Sequence, residues 1–171
     1  DGAAQQLKAV HSRRYWSKIV LVHGAGSYGH FHAKHYGLKS GGSTVVQSNN
    51  QKSLTAWQTG LVLTRQSVLK LNKLVVDAHI ALDMPAATIS TFPSTITGYS
   101  PNITTCPDSS VIRTYFYPPI NPNGSRIIDA GPLKMVSDMS DAGLIPVLHG
   151  DVVLDRDQRC AILGGDHIIY W

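Results

Sequence analysis

Residues 18–30 read Lys-Ile-Val-Leu-Val-His-Gly-Ala-Gly-Ser-Tyr-Gly-His, an apolar run followed at once by Gly24, Gly26 and Gly29. An uninterrupted apolar strand has to be covered on both faces, as in a parallel sheet held between helical layers. A glycine-rich turn at its end lets the backbone come close to a ligand or to another backbone. Where a helix follows such a turn, its unpaired N–H groups and the positive end of its dipole point at an anion. The stretch predicts a strand over Lys18–Val22, a tight loop over Gly24–Gly29 and a helix over His30–Tyr36, with phosphate as the expected guest. The same glycines also serve a chain that only needs close strand–helix packing.

The remaining pattern repeats this alternation. Ala3–Arg13 reads as a helix, and Gly37–Asn50, rich in Gly, Ser and Asn, as a flexible loop. Leu54, Trp57, Leu61, Val68, Leu71, Val75, Ala78 and Leu82 recur at helical spacing with only Thr64 breaking the stripe, which predicts a long helix ended by Pro85. Ala86–Ser90 follows as a strand. Residues 98–124 carry Pro101, Pro107, Pro118, Pro119 and Pro122 and read as an irregular insertion around the apolar piece Val111–Tyr117. A helix over Leu133–Asp141 leads through Gly143 into a buried strand, Leu144–Leu148. Asp151–Leu154 and Cys160–Leu163 form a hairpin, and Gly165–Trp171 starts another helix. Strands separated by helices imply a three-layer α/β/α sandwich with a mainly parallel sheet. At 171 residues and 43% hydrophobic the chain suits one domain, residues 1–171.

Charge is distributed unevenly. Asp1 is the only acidic residue before Asp77, against ten lysines and arginines, so the first 76 residues carry +9; the remainder carries −5. A positive half attracts anions. The basic residues are scattered without interleaved aromatics, which argues against a nucleic-acid partner. No apolar run is long enough to span a membrane and no secretory pattern opens the chain. Cys106 and Cys160 are too few for a disulfide framework, so a reducing, cytoplasmic setting is expected.

Gly24-x-Gly26-x-x-Gly29 formally matches a dinucleotide fingerprint, but the acidic residue that should bind the ribose about 20 positions later is missing. His30, His32 and His35 hint at a metal site, yet positions 30 and 32 of a helix face different ways, and no metal is assigned. An imidazole just past the last glycine is instead placed to donate an N–H to a bound phosphate. A second constellation, Pro146-Val-Leu-His-Gly-Asp-Val-Val-Leu-Asp155 followed by Ile162-Leu-Gly-Gly-Asp166, again ends strands in glycine and brings carboxylates near the phosphate site. Such carboxylates orient lysines or hold magnesium in phosphoryl transfer, whereas Asp155 and Asp157 fit an exposed hairpin turn.

At these residues the sequence resembles the isopentenyl phosphate kinases of the amino acid kinase superfamily. The likeness rests on Val22-His-Gly-Ala-Gly-Ser-Tyr-Gly-His30, Ala33-Lys-His-Tyr-Gly-Leu38, Gly143-Leu-Ile-Pro-Val-Leu-His-Gly-Asp-Val-Val-Leu-Asp155 and Gly164-Gly-Asp166. It implies an amino acid kinase-like fold and ATP-dependent phosphorylation of isopentenyl phosphate with Mg2+, giving isopentenyl diphosphate. It further implies that Ala25, Gly26 and Gly29 line the phosphate loop, with Gly26 also serving ATP. His30 would bond the acceptor phosphate, while Gly165 and Asp166 would stand near the transferring phosphoryl group, Asp166 orienting lysines. The implied partners are a small prenyl phosphate and, as the family's common assembly, a second copy of the chain.

The family pattern also includes an opening strand ending in Lys-x-Gly-Gly-Ser and, past Gly-Asp, a nucleotide-binding half; neither falls within these 171 residues. The resemblance therefore implies an acceptor-binding half, either a fragment or a truncated form that does not catalyse alone. Two further readings stay open: a non-catalytic anion-binding module, and a related kinase for another small phosphate or phosphonate.

Overall fold

The computed structural model describes residues 2–12, 18–42, 55–98, 113–116, 132–156 and 158–169. Its elements are α1 (Gly2–Ser12), β1 (Leu21–His23), α2 (Gly26–His35), a 3-10 turn at Leu38–Ser40, α3 (Ala56–Ile80), β2 (Ala86–Thr88), β3 (Thr95–Gly98), β4 (Arg113–Phe116), α4 (Pro132–Asp141), β5 (Ile145–His149), β6 (Asp151–Asp155), β7 (Arg159–Leu163) and α5 (Gly165–Ile169). Two sheets form, ordered β1-β5-β2 and β4-β3-β6-β7. The first is parallel throughout, with Leu21 opposite Val147 and Ala86 opposite Ile145. In the second, β3 runs parallel to β6 while β4 and β7 pair antiparallel at the edges. β5 and β6 are one length of chain with Gly150 between them.

Alternation along that chain divides the core. Ile145 and Val147 join Met84 and Ala86 against residues of α1 and α3. Leu148 and Val153 face the other way and pack with Ile168 of α5, joined by Val136 and Met139 of α4. A third cluster, Leu38, Leu61, Val152 and Cys160, lies under α2 and the 3-10 turn. Helices thus cover both sheet faces, as a strand that is apolar on both sides requires.

α3 opens with its own cap: the Thr55 N–H donates to Gln58 Oε1 at 2.9 Å, satisfying a first-turn donor. Its inner face is more polar than the stripe suggests. Thr64, Asn72 and His79 are buried there alongside Leu61 and Val68. None of the helices is long and apolar enough to cross a membrane among the described residues.

Three expectations change. The glycines of the first loop do not delay the helix: α2 begins at Gly26, so Gly29 and His30 lie within it. Glycine is needed at position 29, where a Cβ would stand 2.6 Å from Ala25 Cβ in the turn before α2 and 3.3 Å from Val68 Cγ2 of α3. The loop expected over Gly37–Asn50 begins as a tight turn with Leu38 fully buried, and residues 43–50 lie outside the described residues. Within 98–124, Arg113–Phe116 form a strand paired with β3, which was itself not foreseen; the rest of the insertion, Gly98 excepted, lies outside the described residues.

Candidate active site

The carboxyl ends of β1 and β5 lie side by side, His23 opposite His149. Beyond them the chain turns at Gly24 and at Gly150, and the Gly150 N–H donates to His23 O at 2.8 Å. A Cβ on Gly150 would stand 3.2 Å from Gly165 N and 3.4 Å from Ala25 N, and one on Gly165 would stand 3.1 Å from His23 O. Three backbone segments therefore meet without side chains between them. The glycines make this possible by removing what would keep the backbones apart.

A cleft of about 820 Å3 opens over this junction. Ala25, Gly26, Gly29, His30, Gly165 and Asp166 all line it. Gly26 has φ +51°, a left-handed conformation that favours glycine, and a Cβ there would meet nothing within 4 Å. α2 starts at Gly26 with no side chain capping it and no acidic residue in its first turn. Its leading amides and dipole are accordingly directed into the cleft. His30 is exposed on this helix. Across the cleft the Asp166 side chain is 78% exposed, with Oδ1 3.4 Å from His167 Nδ1. A Cβ on Gly164 would be 2.2 Å from Asp166 Oδ1, so glycine there leaves room for the carboxylate.

Other residues of the cleft were not singled out by sequence. Thr64 and Val68 of α3 form part of the lining, together with Lys34, Lys39 and Ser40. Thr64 is 2% exposed and its hydroxyl has no partner among the described residues. Its interruption of the α3 stripe was the available signal. Neither Lys34 nor Lys39 enters an ion pair among the described residues.

A polar layer with Asn72, His149 and Asp151 buried in it supports the junction from below. His23 Nε2 lies 3.1 Å from Asn72 Oδ1, and Asn72 Nδ2 donates to Thr88 Oγ1 at 2.7 Å. The His149 ring stacks on His23 at 5.7 Å, with Nδ1 3.1 Å from Gly150 O. Burial draws the His149 pKa below its ordinary value, and repulsion from His23 and Arg65 adds to this. Asp151 is paired with Arg65, whose guanidinium lies 4.1 Å from the centre of the Phe92 ring. Burial nevertheless pushes the Asp151 carboxyl up to about 6. With one oxygen on Arg65 and the other accepting the Val152 N–H at 2.8 Å, Asp151 is committed to holding α3 onto β6.

The amino acid kinase family model matches residues 1–171 of the chain. The chain belongs to that family. Among its relatives, an isopentenyl phosphate kinase of Arabidopsis thaliana is 34% identical over 154 residues, covering 90% of this chain and 36% of the relative. One from Methanothermobacter thermautotrophicus is 32% identical over 155 residues, covering 90% and 46%. An X-ray structure of isopentenyl phosphate kinase superposes on 97% of this chain and 55% of its own, with a TM-score of 0.66 at 24% identity. A second, of an isopentenyl phosphate kinase substrate complex, covers 97% and 53% with a TM-score of 0.57 at 19% identity. The chain thus spans less than half the length of these curated relatives, and its parallel sheet with flanking helices is the amino acid kinase fold. Among the described residues of this kinase-family chain, no three His, Cys, Asp or Glu side chains converge as a metal site.

Proposed function

We propose that the protein takes part in transferring the γ-phosphoryl group of ATP to the phosphate of isopentenyl phosphate, giving isopentenyl diphosphate and ADP. One observation carries this reading: an uncapped helix start with an exposed imidazole stands across a single cleft from an exposed carboxylate. The curated relatives named above support the choice of acceptor.

The chemistry explains the residue types. Both the acceptor and the phosphoryl group are anionic, so their approach needs donors that neutralise charge and occupy little space. The leading amides of α2, at Gly26 and its neighbours, hold phosphate oxygens through N–H groups aligned with the helix dipole. His30 donates a ring N–H to a non-bridging oxygen of the acceptor and fixes the direction from which it attacks. Ala25 and Gly165 contribute backbone only, which keeps the approach open. Asp166 orients cationic groups around the transferring phosphoryl, since its carboxylate is exposed whereas Asp151 is committed to Arg65. Mg2+ would enter with the nucleotide, and Asp166 is the exposed carboxylate that would hold it. It would supply neutralisation of the phosphate charge.

The test is a coupled assay on the whole protein with ATP, Mg2+ and isopentenyl phosphate, paired with calorimetric titration of the acceptor. Turnover supports the kinase reading. Acceptor binding without turnover would replace it by an anion-binding module, and turnover confined to another small phosphate would reassign the substrate. Light scattering tests the homodimer that this reading includes.

A further inference from the structure

The segment Gly37–Gly42 brings Lys39 and Ser40 to the cleft, at some distance along the chain from the phosphate-binding turn. It has little structure of its own. Gly37, Gly41 and Gly42 all adopt positive φ, at 64°, 80° and 67°. Its internal hydrogen bonds are those of a single tight turn, with the Gly41 N–H on Leu38 O at 3.1 Å and the Gly42 N–H on Gly37 O at 2.9 Å.

Leu38 anchors it in the core against Leu61 and Val152, and the start of β7 fastens its backbone. Gln158 Nε2 donates to Lys39 O at 3.3 Å, Arg159 Nε to Gly41 O at 3.2 Å, Arg159 Nη2 to Gly42 O at 2.9 Å, and Cys160 Sγ to Leu38 O at 3.8 Å. Four carbonyls of the segment are thus taken by three consecutive side chains. A Cβ on Gly41 would stand 2.0 Å from Gln158 O, so the two backbones touch. Arg159 holds its position at φ +78°, which is unfavourable for any residue with a side chain. Its turn is anchored in the sheet by Asp155, which accepts from the Gln158 N–H at 2.8 Å and from the Thr97 hydroxyl at 2.6 Å. The other end of β7 runs directly into Gly164, Gly165 and Asp166. A five-residue strand, about 13 Å long at 3.3 Å per residue, therefore separates the phosphoryl end of the cleft from this clamp.

We propose that Arg159 is a positioning residue for the acceptor: through the Gly41 and Gly42 carbonyls it fixes the 37–42 segment as a wall of the cleft, setting where Lys39 and Ser40 meet the bound molecule. This rests on the kinase reading as far as the acceptor is concerned. The fastening itself does not.

The experiment compares Arg159→Ala, Arg159→Gly and Arg159→Lys in the whole protein. Loss of two hydrogen bonds to carbonyls predicts an acceptor KM raised about tenfold in the Ala and Gly variants, with kcat and the nucleotide KM unchanged. Lys, which keeps one donor in reach, recovers part of the loss. Gly relieves the backbone strain, so its melting temperature is no lower than that of Ala while its acceptor KM remains raised. An acceptor KM that follows melting temperature, or equals that of the parent in the Gly variant, overturns the proposal. Hydrogen exchange at the Gly41 and Gly42 amides decides the fastening without any substrate: faster exchange in Arg159→Ala is expected, and unchanged exchange overturns it. A parent protein that turns over no isopentenyl phosphate would remove the proposed function, and exchange would still decide the clamp.

Discussion

α2 and α3 begin in opposite ways. The start of α3 is closed by its own chain, with the Thr55 N–H and hydroxyl both directed to Gln58 Oε1 at 2.9 Å. The start of α2 has glycine at Gly26, no capping side chain and no acidic residue in the first turn, and it opens on the cleft. Unsatisfied helix donors weaken a helix unless something meets them. A fold that caps one helix and leaves another open at a shared cleft separates stability from binding, with α3 as framework and α2 as receptor.

The sharpest way to break this comparison is His30→Ala. Removing a donor at the reacting phosphate should lower turnover roughly 10²–10³-fold, with the thermal unfolding midpoint unchanged because His30 is exposed. Unchanged turnover would remove His30 from the mechanism. Gly26→Ala comes next. Its Cβ meets nothing, so the cost is conformational, about 1–2 kcal/mol for an L-residue in the left-handed region, read by denaturant unfolding. Weaker acceptor binding should accompany it, since the leading amides shift.

Gln58→Ala sharpens the other side. It removes the partner of Thr55 and should cost ~1 kcal/mol of stability, leaving the acceptor KM unaltered. A raised KM would mean that α3, too, serves binding. The smallest effect concerns pH. His149 has a folded pKa below its ordinary 6.5, so the unfolded chain binds the extra proton and the His149 contribution to stability falls as pH drops below about 6.5. Asp151, raised to about 6, binds its proton in the folded chain and opposes that fall from about pH 6 down. His149→Asn should remove the His149 part of that dependence below about pH 6.5 and leave the opposing Asp151 part, measured as the shift in denaturant midpoint.

The alternation of strands and helices was legible because buried runs and glycine stops carry it locally. The start of α2 was not, since three glycines argue against helix while contact with α3 at Val68 favours it, and tertiary packing outweighs propensity. β3 and β4 are short and joined across a proline-rich stretch, so only their pairing makes them strands. At the site, Ala25, Gly26, Gly29, His30, Gly165 and Asp166 could be singled out because motifs in the sequence carry them, and they share one cleft. Thr64 shows only as the break in the α3 stripe, and Lys39 and the Arg65–Asp151 pair have no such signature: Arg65 and Asp151 are 86 positions apart, and nothing in a one-dimensional pattern couples them. Asp155 behaves as a turn residue, as its hairpin context suggested.

Residues 145–155 are the central strand of one sheet and an inner strand of the other, passing between them at Gly150. The two strands are separated by a single residue, so a displacement of either is passed to the other sheet through Gly150. Slow amide exchange on either side of Gly150 should rise and fall together, and partial opening of the molecule has to start at its margins.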